Sequence, residues 1–402
     1  MTAALANISK RNALVGILAV ALVLRLIAAF VLPDQSALLS DAVAYRTAGA
    51  QIATHWHMTN AYQMPLYPLL IAIAGSWQVA ADIAVSVVSV WLVYALAEEL
   101  FDARWTAPLA GLAAACYPPL IFFSVVGLSE TLFIALVLAA FLFWYRGAFA
   151  AAAVFAVLAI LTRPIFDIAA PCLVVFFALV IHRLSFVQAA RHLVVYAAIY
   201  CALMTPWWLN TYAEFGRFVR LTNGFGIQLY AGNNPLNKSG GSNEEVDFSS
   251  APFASIADPV ERDRAMRDAA IAYIRDNPGR FAEMSALKFI RMWRLWPANE
   301  GYSNPLTVII SVASFVPVLL LSAYGIFVAR AGIVQLSPIL LFALGYTAII
   351  MVMAGTIRYR LPLEPFMLVF AAAGASRLFG NTVSVRGQAA NTQGVAYARV
   401  GV

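Results

Sequence analysis

Ten stretches of this chain run for roughly a membrane's thickness with little charge, and that pattern excludes a soluble globule. They lie near 13–32, 79–97, 106–124, 129–146, 148–163, 166–182, 193–209, 304–328, 334–354 and 361–379. Only 11% of the 402 residues are charged, 62% are hydrophobic, and the mean hydropathy is +0.79. The expected fold class is an all-α polytopic membrane protein, because helices satisfy their own backbone groups in lipid. The two short runs around Thr162–Pro164 read either as a re-entrant pair or, more simply, as two tight spans. Lys10 and Arg11 precede the first stretch without a convincing small-residue cleavage site, so a retained first span is expected. Cys116, Cys172 and Cys201 all sit in apolar runs with no metal spacing or disulfide framework, and read as packing residues.

Ten spans put both termini on one side. Lys10, Arg11, Arg104, Arg146, Arg183, Arg191, Arg330 and Arg377 then share that side, which the positive-inside rule makes the cytoplasm. The net charge of +6 is thus a topology signal and no argument for a nucleic-acid partner. Four regions follow: an N-terminal membrane module over 1–210, an outer loop region over 211–303, C-terminal spans over 304–380, and a polar tail over 381–402. That tail, rich in Gly, Ala, Gln and Val, reads as disordered and cytoplasmic. The first outer loop, 33–78, carries Asp41, a helical stretch, and Pro65-Leu66-Tyr67-Pro68 opening a short apolar helix to Gly75. That helix is too short to span and reads as interfacial. The second outer piece has Gly/Asn-rich turns, including Gly232-Asn233-Asn234-Pro235, then a polar Ser/Gly/Asn stretch. An amphipathic helix near 259–276 breaks at Asn277-Pro278-Gly279. A basic-aromatic helix from 281 to 297 alternates Lys288, Arg291 and Arg294 with Phe289, Trp293 and Trp296, as for a helix lying on anionic lipid.

A minority of arginines defies the topology rule. Arg163, Arg358 and Arg360 fall in short connections on the outer side, with Asp41 and Glu130. Guanidinium forks match phosphate oxygens, so these three are candidates for an anionic ligand; snorkelling to headgroups is the plainer reading. Asp41 either caps a helix or acts as a general base towards an acceptor hydroxyl, with Tyr45 one turn further on. Glu130, at a helix start, either answers the helix dipole or supplies a second carboxylate at the site. Asp167, four residues after Arg163, reads as that arginine's ion-pair partner. Arg25, inside the first span, needs an internal partner or must snorkel. His55 and His57 do not share a helix face and have no third ligand nearby, so no metal site is assigned. No phosphate-binding glycine loop or Ser-His-Asp arrangement stands out.

Several strings together resemble one family. Asp41-x-x-x-Tyr45 is followed by Met64-Pro65-Leu66-Tyr67-Pro68, Ser129-Glu130, Leu161-Thr162-Arg163-Pro164, Pro206-Trp207-Trp208-x-Asn210, Gly232-Asn233-Asn234-Pro235 and Arg358-Tyr359-Arg360-Leu361-Pro362. Their order and placement, over about 10–380, resemble bacterial relatives of the dolichyl-phosphate-mannose protein mannosyltransferases, including the aminoarabinose transferases. The resemblance implies a GT-C-fold bundle of about ten transmembrane helices with periplasmic juxtamembrane helices and a small outer loop domain. It implies inverting transfer of a sugar from a polyprenyl-phosphate donor at the periplasmic face of a bacterial inner membrane. The acceptor would be an envelope glycan, lipid or protein. It points to Asp41 as general base, with Glu130 as a second catalytic acid. Arg163, Arg358 and Arg360 would hold the donor phosphate, and Tyr45, Tyr67, Asn233 and Asn234, within the matching strings, would contact substrate. No cofactor or metal is called for, because arginines can supply the positive charge. Many members carry Asp-Glu in the first loop, whereas Ala42 follows Asp41 here. Two other classes compete: a transporter or flippase of a lipid-linked saccharide, and a non-catalytic membrane scaffold. Transporters commonly show inverted repeats, and none is visible.

Overall fold

A computed structural model of the chain describes residues 2–32, 39–241, 252–297 and 304–386. Helix fills each of the ten apolar stretches: α1 (Thr2–Val31), α4 (Gln78–Leu100), α5 (Thr106–Cys116) with α6 (Pro118–Phe123), α7 (Glu130–Tyr145), α8 (Phe149–Thr162), α9 (Ala169–Phe176), α10 (Phe186–Phe215), α14 (Pro305–Val328), α15 (Ile333–Val352) and α16 (Glu364–Leu378). Six stretches, containing α1, α4, α9, α10, α14 and α15, are long and apolar enough to cross a membrane, while α5, α7 and α8 are apolar but shorter. Among the described residues the extended pairing is a lone bridge between Phe101 and Val385. The protein is an all-α, multi-pass membrane protein.

α7 occupies the centre of the bundle. Nearly every side chain on it is buried, Glu130 and Trp144 included. A helix apolar on all faces belongs at a centre. Phe141 meets Phe366 at 4.9 Å and Phe342 at 5.4 Å between ring centroids, tying α7 to α16 and α15. The packing of α14 on α16 rests on small residues: a Cβ at Gly325 would strike the carbonyl of Phe370. Such close backbone approach is the usual device where lipid supplies no hydrophobic drive between helices. The three cysteines do not pack inward as expected. All are free and exposed on the outer face of the bundle, where lipid serves an apolar thiol as well as a core would.

Five further helices complete the fold: α2 (Ser40–His55), α3 (Leu66–Ala74), α11 (Phe225–Gly232), α12 (Pro259–Asp276) and α13 (Pro278–Met292). The first and second outer pieces are laced together. Asn210 Oδ1 accepts from Met58 N at 2.9 Å while its Nδ2 donates to Met58 O at 3.0 Å. Thr222 Oγ1 donates to the carbonyl of Tyr62 at 2.7 Å. The Ser/Gly/Asn stretch at 242–251 and most of the tail, from 387, lie outside the described residues. Residues 381–386 do not match the expected disorder. They dock on the α4–α5 turn through Arg386 Nε to Asp102 at 2.9 Å and Asp102 N to Ser384 O at 3.1 Å.

The basic-aromatic helix also differs from its reading. It ends at Met292, and Lys288 faces inward with no exposed surface. Its Nζ donates to Asn233 Oδ1 at 2.9 Å and to the Val352 carbonyl, the last of α15, at 3.1 Å. The ammonium has no carboxylate partner among its described contacts. Burial pulls its pKa from 10.5 down to about 8. The unfolded chain therefore holds more protons than the fold between about pH 8 and 10.5, and stability should rise with pH across that window. Thermal unfolding at pH 8 and pH 10 should show this rise in wild type and a flatter profile in Lys288→Met. Equal slopes in the two proteins would refute the assignment.

Candidate active site

A cavity of about 1100 Å³ opens at the end of the bundle where α2 begins and α1 ends. Its apolar walls come from the end of α1 (Ile27, Val31) and from α6 (Pro118, Phe122), while α14 lines it with Thr307, Ser311 and Ser314 beside Ile310. Its polar end carries Asp41, Tyr62, Gln228, Arg291, Arg294 and Arg358. One end therefore suits hydrocarbon and the other an anionic or hydroxylated group.

Asp41 enters from the first turn of α2, and its side chain keeps 42% exposure. It does not cap the helix, whose N-cap is Leu39. Its Oδ2 instead meets Arg358 Nη1 at 2.6 Å. Arg358 also donates through Nε to Glu130 Oε1, the same oxygen that pairs with Arg163 Nη1 at 2.7 Å. Two carboxylates and two arginines thus form one cluster without net charge. Burial opposes the charge on Arg358, but Glu130 and then Asp41 outweigh it and raise its pKa well above the ordinary arginine value. Tyr62 hangs beside Asp41 and accepts from Gln228 Nε2 at 2.7 Å. Burial first, and the Asp41 carboxylate second, push its phenol up to about 12, so it stays a neutral donor at physiological pH.

The sequence-predicted residues divide by position. Asp41, Arg358 and Arg360 line the cavity. Glu130 does not: only 1% exposed, it lies behind Arg358 and holds arginines. Arg163 lies behind it too, bound to Glu130 and to Ser129 Oγ at 3.2 Å. Arg360 is tied at 2.6 Å to Glu364 one turn on and lies 3.4 Å over the Phe315 ring, so its charge is already answered. Tyr45 is buried with its hydroxyl 2.9 Å from Ser129 Oγ, and Tyr67 is buried donating to Asp82 Oδ2 at 2.9 Å. Neither lines the cavity. Asn233 and Asn234 are interior as well. Asn233 Nδ2 donates to Leu229 O and Val352 O, both at 2.8 Å, and Asn234 Oδ1 accepts from Leu236 N at 2.8 Å. They close a turn where the expectation set them on substrate. Asp167 pairs with Arg220 and accepts from Tyr200 at 2.9 Å, leaving Arg163 to Glu130. His57 meets Glu214 at 2.6 Å.

The sequence reading missed Tyr62, Gln228, Arg291 and Arg294 as cavity residues. Arg291 and Arg294 were assigned to a lipid-facing helix that stops short of 294. Pro297 was the available signal, since a proline disfavours helix in the residue before it and shortens the helix from that end.

The arrangement of membrane helices and juxtamembrane helices is that of the GT-C fold. The Archaeoglobus fulgidus oligosaccharyltransferase in its apo form shares it, with a TM-score of 0.51 and 13% identity over 91% of this chain and 50% of that one. So does archaeal oligosaccharyltransferase AglB from the same organism, in complex with an inhibitory peptide and a dolichol-phosphate, with a TM-score of 0.55 and 14% identity over 92% of this chain and 51% of that one. The chain spans about half the length of these structures, and at such identities the likeness is one of fold. No protein-family model and no curated protein matches the sequence.

The charge cluster makes a stability prediction. Glu130→Gln strips a buried carboxylate from two arginines and should cost about 3 kcal/mol or more. Arg163→Met should be costly alone, yet the pair of changes together should cost less than their sum by about 1 kcal/mol. Denaturation of the three variants in one detergent checks this, and strictly additive losses would exclude the shared pairing.

Proposed function

We propose that this chain is an inverting glycosyltransferase of a bacterial inner membrane. It takes a sugar from a polyprenyl-phosphate donor at the periplasmic face and passes it to an envelope glycan, lipid or protein. The observation that carries this reading is the pairing of Asp41 and Arg358 in a cavity whose α1 and α6 walls are apolar. Support also comes from the fold shared with two oligosaccharyltransferase structures, one of them holding a dolichol-phosphate. The family-like strings add to it, with Asp41 at the position the resemblance marks for the base.

In this scheme the acceptor O–H or N–H gives its proton to an Asp41 oxygen as its lone pair attacks the anomeric carbon. The bond from that carbon to the phosphate oxygen breaks on the opposite face, and its electron pair leaves with polyprenyl phosphate. Arg358 faces both partners of the step. Phosphate arriving beside it shares the guanidinium and loosens its hold on the Asp41 carboxylate. Arg291 and Arg294 add positive charge on the same wall, and Tyr62 offers a neutral hydroxyl to the sugar. Glu130 and Arg163 keep Arg358 in place. The polyprenyl tail lies against α1 and α6. Arginines carry the charge stabilisation, so the scheme calls on no cofactor.

The test is transfer from a panel of radiolabelled polyprenyl-phosphate sugars to native membranes, with purified wild type and Asp41→Asn. Loss of the base should lower turnover by about 10²–10⁴-fold while polyprenyl phosphate still binds. Turnover near wild type in Asp41→Asn would remove Asp41 from this role. Binding without transfer in wild type would favour carriage of a lipid-linked saccharide.

A further inference from the structure

Arg25 is a full positive charge inside the first span, and the scheme above does not use it. It has no exposed surface, and no carboxylate pairs with it among the described residues. Its partners are neutral. Nε donates to Ser86 Oγ at 2.7 Å, Nη1 to Ala21 O at 3.1 Å and Ala115 O at 3.0 Å, and Nη2 to Ala114 O at 3.4 Å.

Two of those carbonyls have a history in the sequence. In a continuous helix Ala114 O and Ala115 O would accept from the N–H groups of residues 118 and 119. Those residues are Pro118 and Pro119, which have no N–H. The proline pair therefore orphans two carbonyls within one span, and Arg25 donates to both. Helix breaks at membrane depth persist where neighbours re-satisfy the freed groups. Here a single guanidinium does so, at the negative end of the α5 dipole. Ser86 extends the arrangement by donating to Leu120 O at 3.4 Å.

The break gives α6 its own direction. Tyr117 is extended between the two helices, and α6 packs against both α1 and α14. Pro118, Pro119 and Phe122 on α6 form part of the apolar cavity wall. A continuous α5 would run straight and remove that wall.

We infer that Arg25 is a positioning residue for the lipid part of the substrate: by capping the Pro118–Pro119 break it holds α6 as the surface on which a long polyprenyl chain lies. This rests on the glycosyltransferase reading, in that the ligand is a polyprenyl phosphate. Its consequence is selectivity for chain length. A full-length prenyl chain needs the α6 wall, whereas a short prenyl phosphate needs only the polar end.

Binding of short-chain and full-length polyprenyl phosphate to the purified full chain in detergent tests it. Arg25→Met should weaken full-length binding by about tenfold, the effect of leaving a buried polar group or two unpaired, and leave short-chain binding nearly unchanged. The triple variant Arg25→Met/Pro118→Ala/Pro119→Ala restores N–H partners to Ala114 and Ala115. It should regain thermal stability and still bind full-length lipid poorly, because the break is gone. That variant carries the test even if Arg25→Met fails to fold. Full-length affinity restored along with stability would reduce Arg25 to a fold residue and overturn the inference, as would unchanged selectivity in both variants. A wild type that binds neither lipid would overturn the glycosyltransferase reading first and this inference with it. A wild type that prefers the long chain, with variants that share the preference, would overturn only the inference.

Discussion

Glu130 begins the most deeply buried helix of the bundle and holds two arginines that arrive from far apart in the sequence. Arg163 comes at the end of α8, and Arg358 comes from the connection before α16, 228 residues away. A buried carboxylate is tolerated only when its charge is answered, and here two cations answer it. The second cation has charge to spare and gives it to Asp41. Asp41 thereby gains a fixed place at the start of α2. The geometry of the site depends on an acid that never reaches the cavity.

The outer region follows a related rule with neutral groups. Asn210, Asn233, Asn234 and Thr222 put their side chains on backbone carbonyls and amides of neighbouring turns, which knits segments with little regular structure. Glycines allow the close approach this needs. A Cβ on Gly232 would strike the Met353 carbonyl, and one on Gly355 the backbone of Lys288. The buried Lys288 ammonium bridges the same layers. Because these contacts converge on residues 352–355, the connection that delivers Arg358 leaves α15 from a fixed point.

Much of the fold could be read from the sequence because its signals are local. Apolar length marked the helices of the bundle, Pro65-Leu66-Tyr67-Pro68 marked α3, and Asn277-Pro278-Gly279 marked the break between α12 and α13. The location of Asp41 and Arg358 at one face was legible from the side on which short-loop charges fall. What remained hidden was pairing. Arg163 has Asp167 four residues on, yet it takes Glu130, because α8 ends beside the start of α7 while Asp167 turns to Arg220. Lys288 looked like a lipid-facing cation because its helix alternates basic and aromatic residues, and periodicity does not reveal which face a loop later covers. Asn233 and Asn234 stood out for their place in a motif, but a motif asparagine can serve the turn itself as well as a substrate.

Arg25 and Arg360 share one use in this protein. Arg25 donates to carbonyls that prolines have orphaned, and Arg360 donates at 2.8 Å to the carbonyl of Arg294, just past the end of α13. Each guanidinium satisfies backbone oxygen where a helix has been interrupted. A break lets the two parts of a helix point in different directions, which is one way to open a cavity in a membrane bundle. Stopping a helix in a water-poor setting requires donors for the freed carbonyls. The five N–H donors of arginine make it the side chain that answers several such oxygens from one point. On this account the buried arginines and the cavity are two aspects of one structural solution.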